Sequence, residues 1–202
     1  EDILVDARDL GIKYLTVYAF STENWNRPEN EVSALMTLLQ NYLKTSIKKS
    51  MKNNVRCRVI GEKSRLSADI QKAIQNLEET TAENTGLNFT IAINYGSRDE
   101  ITRAVRKVAQ KCVDGTIRPD EITEADIQKA LDTAELPDPD LLIRTCGKQR
   151  ISNFLLWQCA YTEFYYTDIA WPDFDKAELE KAIAAYGKRD RKYGGLKKDA
   201  KE

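Results

Sequence analysis

Apolar residues recur along the chain in two rhythms, a three- and four-residue step and a short run of near-continuous apolar positions. The changes between them mark the elements. Ile3, Leu4, Ala7 and Leu10 share one helical face, and Gly11 is placed to end that helix. Ile12 to Phe20 has the aromatic and β-branched make-up of a strand. A helix starting near Glu31 carries Val32, Leu35, Met36, Leu39, Leu43 and Ile47 on one stripe and stops at Asn53-Asn54. Val55 to Ile60 is the next strand, stopped by Gly61, and a helix from about Ser67 turns Ile70, Ala73, Ile74 and Leu77 inward. After the turn Asn84-Thr85-Gly86, Leu87 to Asn94 is a strand, and Asp99 to Val113 is a helix with Ile101, Val105, Val108 and Cys112 on one side. Thr123 caps a shorter helix, with Asp126 in a near capping box. Leu141-Leu142-Ile143 is a short buried strand. Ser152 or Asn153 is expected to cap an apolar helix, Phe154 to Cys159. Phe164-Tyr165-Tyr166 is another short strand, Trp171-Pro172 a turn, and Lys176 to Tyr186 a helix. A basic stretch, 188–195, follows, and the charged end beyond Leu196 is expected to fray.

Strands alternating with helices predict an α/β fold: one domain over residues 1–202, with a central, mostly parallel sheet flanked by helices. No repeat, linker or second domain interrupts it. In a parallel sheet the C-terminal strand ends share one edge, where open α/β sheets bind ligands. Polar clusters follow several strands here. The first is Ser21-Thr22-Glu23-Asn24-Trp25-Asn26-Arg27-Pro28, and a smaller one is Tyr95-Gly96-Ser97-Arg98. The third, Arg144-Thr145-Cys146-Gly147-Lys148-Gln149-Arg150-Ile151-Ser152-Asn153, is the richest. Arg144 and Arg150 offer planar, permanently charged forks that suit phosphate or carboxylate oxygens. Gly147 allows close approach of a backbone. With the hydroxyls of Ser21, Thr22 and Ser152 and the carboxylates of Glu23 and Glu163, the set suits a diphosphate and a hard cation such as Mg²⁺. The plainer alternative is a solvated basic loop held by salt bridges.

Composition narrows the chemistry. The 202 residues are 31% charged and 42% hydrophobic with a net charge of −1, so no bulk field recruits nucleic acid. No apolar run is long enough to span a bilayer and no signal peptide is evident, which predicts a cytoplasmic protein. Cys57, Cys112, Cys146 and Cys159 form no Cys-x-x-Cys pair, and reduced thiols are the simplest account. There is no histidine, so the commonest general base and metal ligand are both missing. Chemistry then falls to carboxylates, arginines, hydroxyls and amides. That suits a substrate carrying its own leaving group, with the protein supplying position and charge.

The stretch Arg144 to Gln158, continuing Cys159-Ala160-Tyr161-Thr162-Glu163-Phe164, resembles the signature of cis-prenyltransferases, above all the bacterial undecaprenyl diphosphate synthases. Tyr18 to Pro28 with Glu31 to Met36, Asn94-Tyr95-Gly96 and Arg191-Lys192-Tyr193-Gly194-Gly195 match further blocks. The resemblance implies condensation of isopentenyl diphosphate onto an allylic diphosphate, usually farnesyl diphosphate, with new cis double bonds. Its bacterial product is undecaprenyl diphosphate, delivered to the membrane for cell-wall synthesis. It implies that Arg144, Arg150, Ile151 and Ser152 bind isopentenyl diphosphate, that Ser21, Thr22, Glu23, Trp25 and Arg27 shape the substrate pocket, and that Asn24 handles a proton. It also implies that Glu163 contributes to a Mg²⁺ site. An amide is no strong base near neutral pH, so for Asn24 an orienting or relay role is expected. The helix 31–51 and the strand 87–93, read alone as ordinary core, become walls of an apolar tunnel with Leu87 at its floor. A homodimer built near Tyr161–Tyr166 and the C-terminal tail is implied as well, and so is a peripheral position at the inner membrane face. Two departures stand out. The family's Asp-Gly-Asn-Gly-Arg-Trp segment, which supplies an essential Asp, and its Gly-His element are not in the chain, so a preceding segment is expected and the chain by itself is not expected to turn over. Lys148 and Cys146 replace the usual Glu and the usual Ser or Gly. A non-catalytic, prenyltransferase-like subunit is the alternative reading.

Overall fold

The computed structural model describes residues 2–189; the stretch 190–195 with its basic and glycine residues, and the end beyond Leu196, lie outside the described residues. Six helices and five strands follow in the order α1 (Asp2–Asp9), β1 (Tyr14–Ser21), α2 (Glu29–Lys52), β2 (Arg56–Ile60), α3 (Ala68–Thr80), β3 (Asn88–Tyr95), α4 (Ser97–Val113), α5 (Glu124–Ala130), β4 (Leu141–Arg144), β5 (Glu163–Tyr166) and α6 (Lys176–Gly187). Every strand pairing among these is parallel. The central strand, β3, pairs with β1 from Tyr14↔Asn88 and with β2 from Arg56↔Asn88, while β4 pairs with β5 from Leu141↔Glu163 to Arg144↔Tyr166. Hydrogen bonding thus falls into a three-stranded and a two-stranded group within one α/β domain. The two groups meet through side chains: Ile143 of β4 packs against the main core, and Leu142 joins Ile60, Ala92 and Tyr95 in a second cluster.

Two local shifts of phase decide which side chains face which layer. In β1 the register slips between Tyr18 and Phe20, so Leu15, Val17 and Phe20 all reach the main core while Tyr18 faces the other cluster. Such a bulge re-aims a strand end. In β3, Phe89, Ile91 and Ile93 point into the main core, but Asn94 has a left-handed backbone (φ 48°). That turn sends Tyr95 to the side of Ala92.

The outer edge of β2 has no neighbouring strand, and side chains close it. Thr81 Oγ1 accepts the Cys57 N–H at 3.0 Å, Glu78 Oε1 accepts the Val59 N–H at 2.7 Å, and Asp132 Oδ2 accepts the Gly61 N–H at 3.1 Å. Buried backbone donors are costly when unpaired, so these three acceptors seal the edge. Arg103, bonded to both oxygens of Asp132 and to Asp99, holds the last of them in place.

Two expectations are corrected. The helix Phe154 to Cys159 does not form; the segment is a chain of turns, because Ser152, Asn153 and Leu155 all have left-handed φ (50°, 61° and 50°). It offers no helix N-terminus to a ligand. On α4, Val105 is 49% exposed instead of inward. The buried face is Ser97, Glu100, Ala104 and Val108, a helical stripe carried partly by polar residues. Thr81 has no exposure, and Thr81→Val keeps its shape while removing the acceptor for Cys57. Urea denaturation is expected to show a loss of about 1–3 kcal/mol, the cost of an unsatisfied buried donor.

Candidate active site

Loops leave the C-terminal ends of β1, β3 and β4 on the same side, and the structure joins them. After β1, Thr22–Asn26 form a 3₁₀ turn begun by Asn24, whose amide oxygen accepts the Ser21 N–H at 2.8 Å. Its amide NH₂ group has no partner among the described residues. Trp25 is clamped: its indole N–H donates to Asn94 Oδ1 at 2.7 Å, its ring meets Phe20 edge-on at 5.2 Å, and the Arg65 guanidinium lies 5.8 Å above it. Asn94 in turn donates to the Glu62 carbonyl, so this buried amide fixes Trp25 to β3. Arg27 does not join the cluster by an ion pair; it is paired with Glu31 one turn into α2.

The loop after β4 is braced on both sides. The Cys146 N–H donates to the Ile169 carbonyl and the Gly147 N–H to the Thr167 carbonyl, each at 2.9 Å. Gly147 has φ 62°, a backbone that favours glycine, and a Cβ there would stand 2.7 Å from Asp168 Oδ1, so that carboxylate would have to shift. Phe154 stacks on Tyr18 (4.5 Å between centroids, 12° apart) and meets Tyr95 edge-on, while the Tyr18 hydroxyl donates to the Tyr95 carbonyl. This aromatic trio pins the loop to β1 and β3. Ile151 packs into the same cluster.

Beneath the loop lies a buried polar knot that hydrophobic patterning does not reveal. Glu100 is 1% exposed and accepts bonds from the Tyr95 hydroxyl, the Gln158 amide and the Asp132 N–H. Ser97 Oγ accepts the Leu156 N–H at 2.7 Å. Burial pushes the Glu100 carboxyl up, and the bonds from Tyr95 and Gln158 only partly offset it. Burial, with Glu100 beside it, likewise pushes the Tyr95 phenol up. The sequence signal for Glu100 was its i, i+4, i+8 spacing with Ala104 and Val108, available only if an acid is allowed on the inner face.

Arg98, Arg144, Lys148 and Arg150 have no carboxylate partner among the described residues. The Arg144 Nε is buried with no acceptor among the described residues, an uncommon state for a buried donor. The Tyr18 phenol is raised first by burial and then by Glu23, and Arg144 pulls it down, so both charges are felt at that ring. Burial raises the Glu23 carboxyl, but bonds from Asn153, its own backbone, Ser21 and Thr22 outweigh it and hold it below the usual range. Glu163 is placed apart. It starts β5 opposite Leu141, so the length of β4, about 10 Å at 3.3 Å per residue, separates it from the level of Arg144. Its carboxylate is bound by Arg189, which also donates to the Phe164 carbonyl.

Next to the Trp25 loop an apolar groove of about 290 Å³ runs between the sheet and α2, lined by Val17, Phe20, Leu35, Leu38, Leu39, Tyr42, Phe89 and Ile91. Leu38 is 66% exposed at its rim. Leu87 is buried on the same face of the strand line as Phe89 and Ile91, one pleat step further from the polar loops. A wider hollow of about 620 Å³ between α2 and α3 is lined by solvated residues such as Lys44, Lys72 and Glu79 and holds none of the site's groups.

The family described as "Putative undecaprenyl diphosphate synthase" matches residues 1–194. An isoprenyl transferase of Rhizobium meliloti is 51% identical over 190 residues, which are 94% of this chain and 77% of that protein. A ditrans,polycis-undecaprenyl-diphosphate synthase specific for farnesyl diphosphate, from Haemophilus ducreyi, is 52% identical over 189 residues, 94% of this chain and 78% of that protein. Among solved structures, lavandulyl diphosphate synthase from Lavandula x intermedia, in complex with dimethylallyl diphosphate, superposes with a TM-score of 0.93 at 42% identity, over 96% of this chain and 84% of that one. A "probable" undecaprenyl diphosphate synthase from Campylobacter jejuni gives 0.85 at 36% identity, over 96% and 89%. The chain belongs to the undecaprenyl diphosphate synthase family of prenyltransferases.

Proposed function

We propose that the protein condenses isopentenyl diphosphate onto an allylic diphosphate, farnesyl diphosphate, with cis double bonds, to make undecaprenyl diphosphate for cell-wall synthesis. The observation that carries this reading is the buried Arg144 Nε without an acceptor among the described residues, in a loop where Arg144, Lys148 and Arg150 have no ion pair with a described carboxylate. A diphosphate supplies the missing acceptors, and an apolar groove beside the same loops takes an apolar tail. In the reaction a new carbon–carbon bond forms at the allylic carbon as its bond to the diphosphate oxygen breaks, and a proton leaves the isopentenyl unit. The diphosphate that departs is already anionic, so the protein's task is position and charge.

In this proposal Arg144, Arg150 and Ser152, with Ile151 packed beneath them, hold isopentenyl diphosphate. Asn24 turns its unpartnered NH₂ group to the substrate and orients it, since its oxygen is committed to Ser21. Ser21, Thr22, Glu23 and Trp25 shape the wall between the diphosphate and the groove, and Arg27, paired with Glu31, shapes its outer lip. The protein is proposed to act as a homodimer through the surface that carries the exposed Tyr161 and Tyr166. Its product passes from the cytoplasmic face to the membrane; no described helix is long and apolar enough to cross one.

Mg²⁺ is the cofactor in this proposal, with Glu163 as a residue that would hold it; the ion would supply charge neutralisation for the diphosphate. Among the described residues no three acids or thiols cluster into a cage, and Glu163 is engaged by Arg189 away from Arg144.

The direct test is to incubate the protein, translated from the gene's own start, with farnesyl diphosphate, labelled isopentenyl diphosphate and Mg²⁺. Long-chain polyprenyl diphosphate is expected; its absence would sink the reading in favour of a non-catalytic subunit. EDTA is expected to abolish the product and excess Mg²⁺ to restore it. Arg144→Ala or Arg150→Ala is expected to lower kcat/KM for isopentenyl diphosphate at least ~10-fold with the fold intact, as charge-assisted bonds contribute roughly 1.5–3 kcal/mol each. Leu87→Ala is expected to lengthen the product, read by chromatography of the dephosphorylated chains. An unchanged length would remove Leu87 from the floor.

A further inference from the structure

Asn153 joins the loops after β1, β3 and β4 through its backbone carbonyl and both ends of its side-chain amide. Its carbonyl accepts the Ser97 N–H at 2.8 Å and its amide oxygen accepts the Arg98 N–H at 3.0 Å, so it satisfies two free donors at the start of α4. Its amide nitrogen donates to Glu23 Oε1 at 2.9 Å, across to the loop after β1. The other oxygen of Glu23 accepts from Thr22 Oγ1. Gly96 makes room for this junction: a Cβ there would stand 2.5 Å from Thr22 Oγ1 and 2.7 Å from Asn153 Nδ2. The backbone of Asn153 has φ 61°, a conformation that Asn tolerates better than most residues.

We propose that Asn153 is a positioning residue of the site: its amide locks the Glu23 loop to the N-terminus of α4, so that the loops after β1, β3 and β4 form one surface. An amide is the one group of this size that both accepts from a helix N-terminus and donates to a carboxylate. A carboxylate at 153 would cap α4 at least as well, since the helix dipole favours negative charge there. It would, however, repel Glu23. The Asp variant therefore separates the two roles. A residue needed only to cap α4 is indifferent to this exchange, and a residue that positions Glu23 is not.

The experiment compares wild type, Asn153→Asp, Glu23→Gln and the double variant. The titration of the Glu23 carboxyl is followed by ¹³C NMR, with thermal unfolding and prenyl-transfer kinetics measured beside it. The groups that face Glu23 are the Ser21 and Thr22 hydroxyls, the Asn153 amide and, within electrostatic reach, the Tyr18 phenol; Tyr18 ionises far above the range scanned. Asn153→Asp is expected to keep its Tm and to raise the Glu23 midpoint by about one pH unit or more, through a lost bond and a new like charge. Its kcat/KM for isopentenyl diphosphate is expected to fall ~10-fold or more. Glu23→Gln in the same chain restores a donor facing the new acceptor, and the double variant is expected to recover most of that loss. An unmoved Glu23 midpoint, or kinetic losses that merely add in the double variant, would overturn the proposal. If Asn153→Asp does not fold, Asn153→Gly keeps the left-handed backbone, and the same Glu23 titration decides. The kinetic arm rests on the prenyl-transfer reading; inactivity of the wild type would overturn that reading, while the titration still decides this one.

Discussion

Parallel pairing on both edges of β3 is the constraint from which the rest of the molecule follows. It puts the C-terminal ends of β1, β2 and β3 on one side, and the parallel pair β4–β5 is packed beside them through Ile143 and Leu142. Every polar loop that leaves those ends must then share a small volume. The chain changes phase at Tyr18–Phe20 and again at Asn94, which delivers Phe20 to the groove and Tyr95 to the knot beneath the loop.

From this arrangement comes a division of labour. One layer is apolar and runs between the sheet and α2, open at Leu38. The other is a polar layer that carries Arg144, Lys148 and Arg150 together with Glu23, raised on a base of buried hydrogen bonds around Glu100. The base is fully engaged at that carboxylate, whereas the cations above it lack acid partners among the described residues. The Arg144 Nε and, in the knot, the Gln158 Oε1 are buried without a partner among the described residues, and an unpaired buried group costs free energy. On the proposed function, a diphosphate supplies the bond that the Arg144 Nε lacks.

Much of this was legible in the residues. The helical stripe of α2, the strands β1 to β5 and the basic loop after β4 follow from periodicity and from Gly and Pro placement, and most boundaries fall within about two residues. What could not be read has physical causes. The segment after Ser152 has the apolar content of a helix, but its path is set by left-handed residues that tertiary bonds from α4 and β1 hold in place. Val105 fits a hydrophobic stripe, but Glu100 and Ser97 take the inner face because their polar groups are satisfied there. The convergence of Arg144 and the β1 loop was expected from parallel strands. The distance of Glu163 was not, since which end of a strand a flanking residue occupies depends on where the strand starts.

The central claim is that the Arg144 guanidinium waits for a diphosphate. ¹⁵N NMR of arginine side chains, recorded while inorganic pyrophosphate is added, tests it most directly. The account predicts that the Arg144 Nε–H resonance moves with saturation, as the donor gains its acceptor, and that Arg150 moves with it. Binding of pyrophosphate that leaves the Arg144 resonance where it was, or no binding at all, would contradict the account.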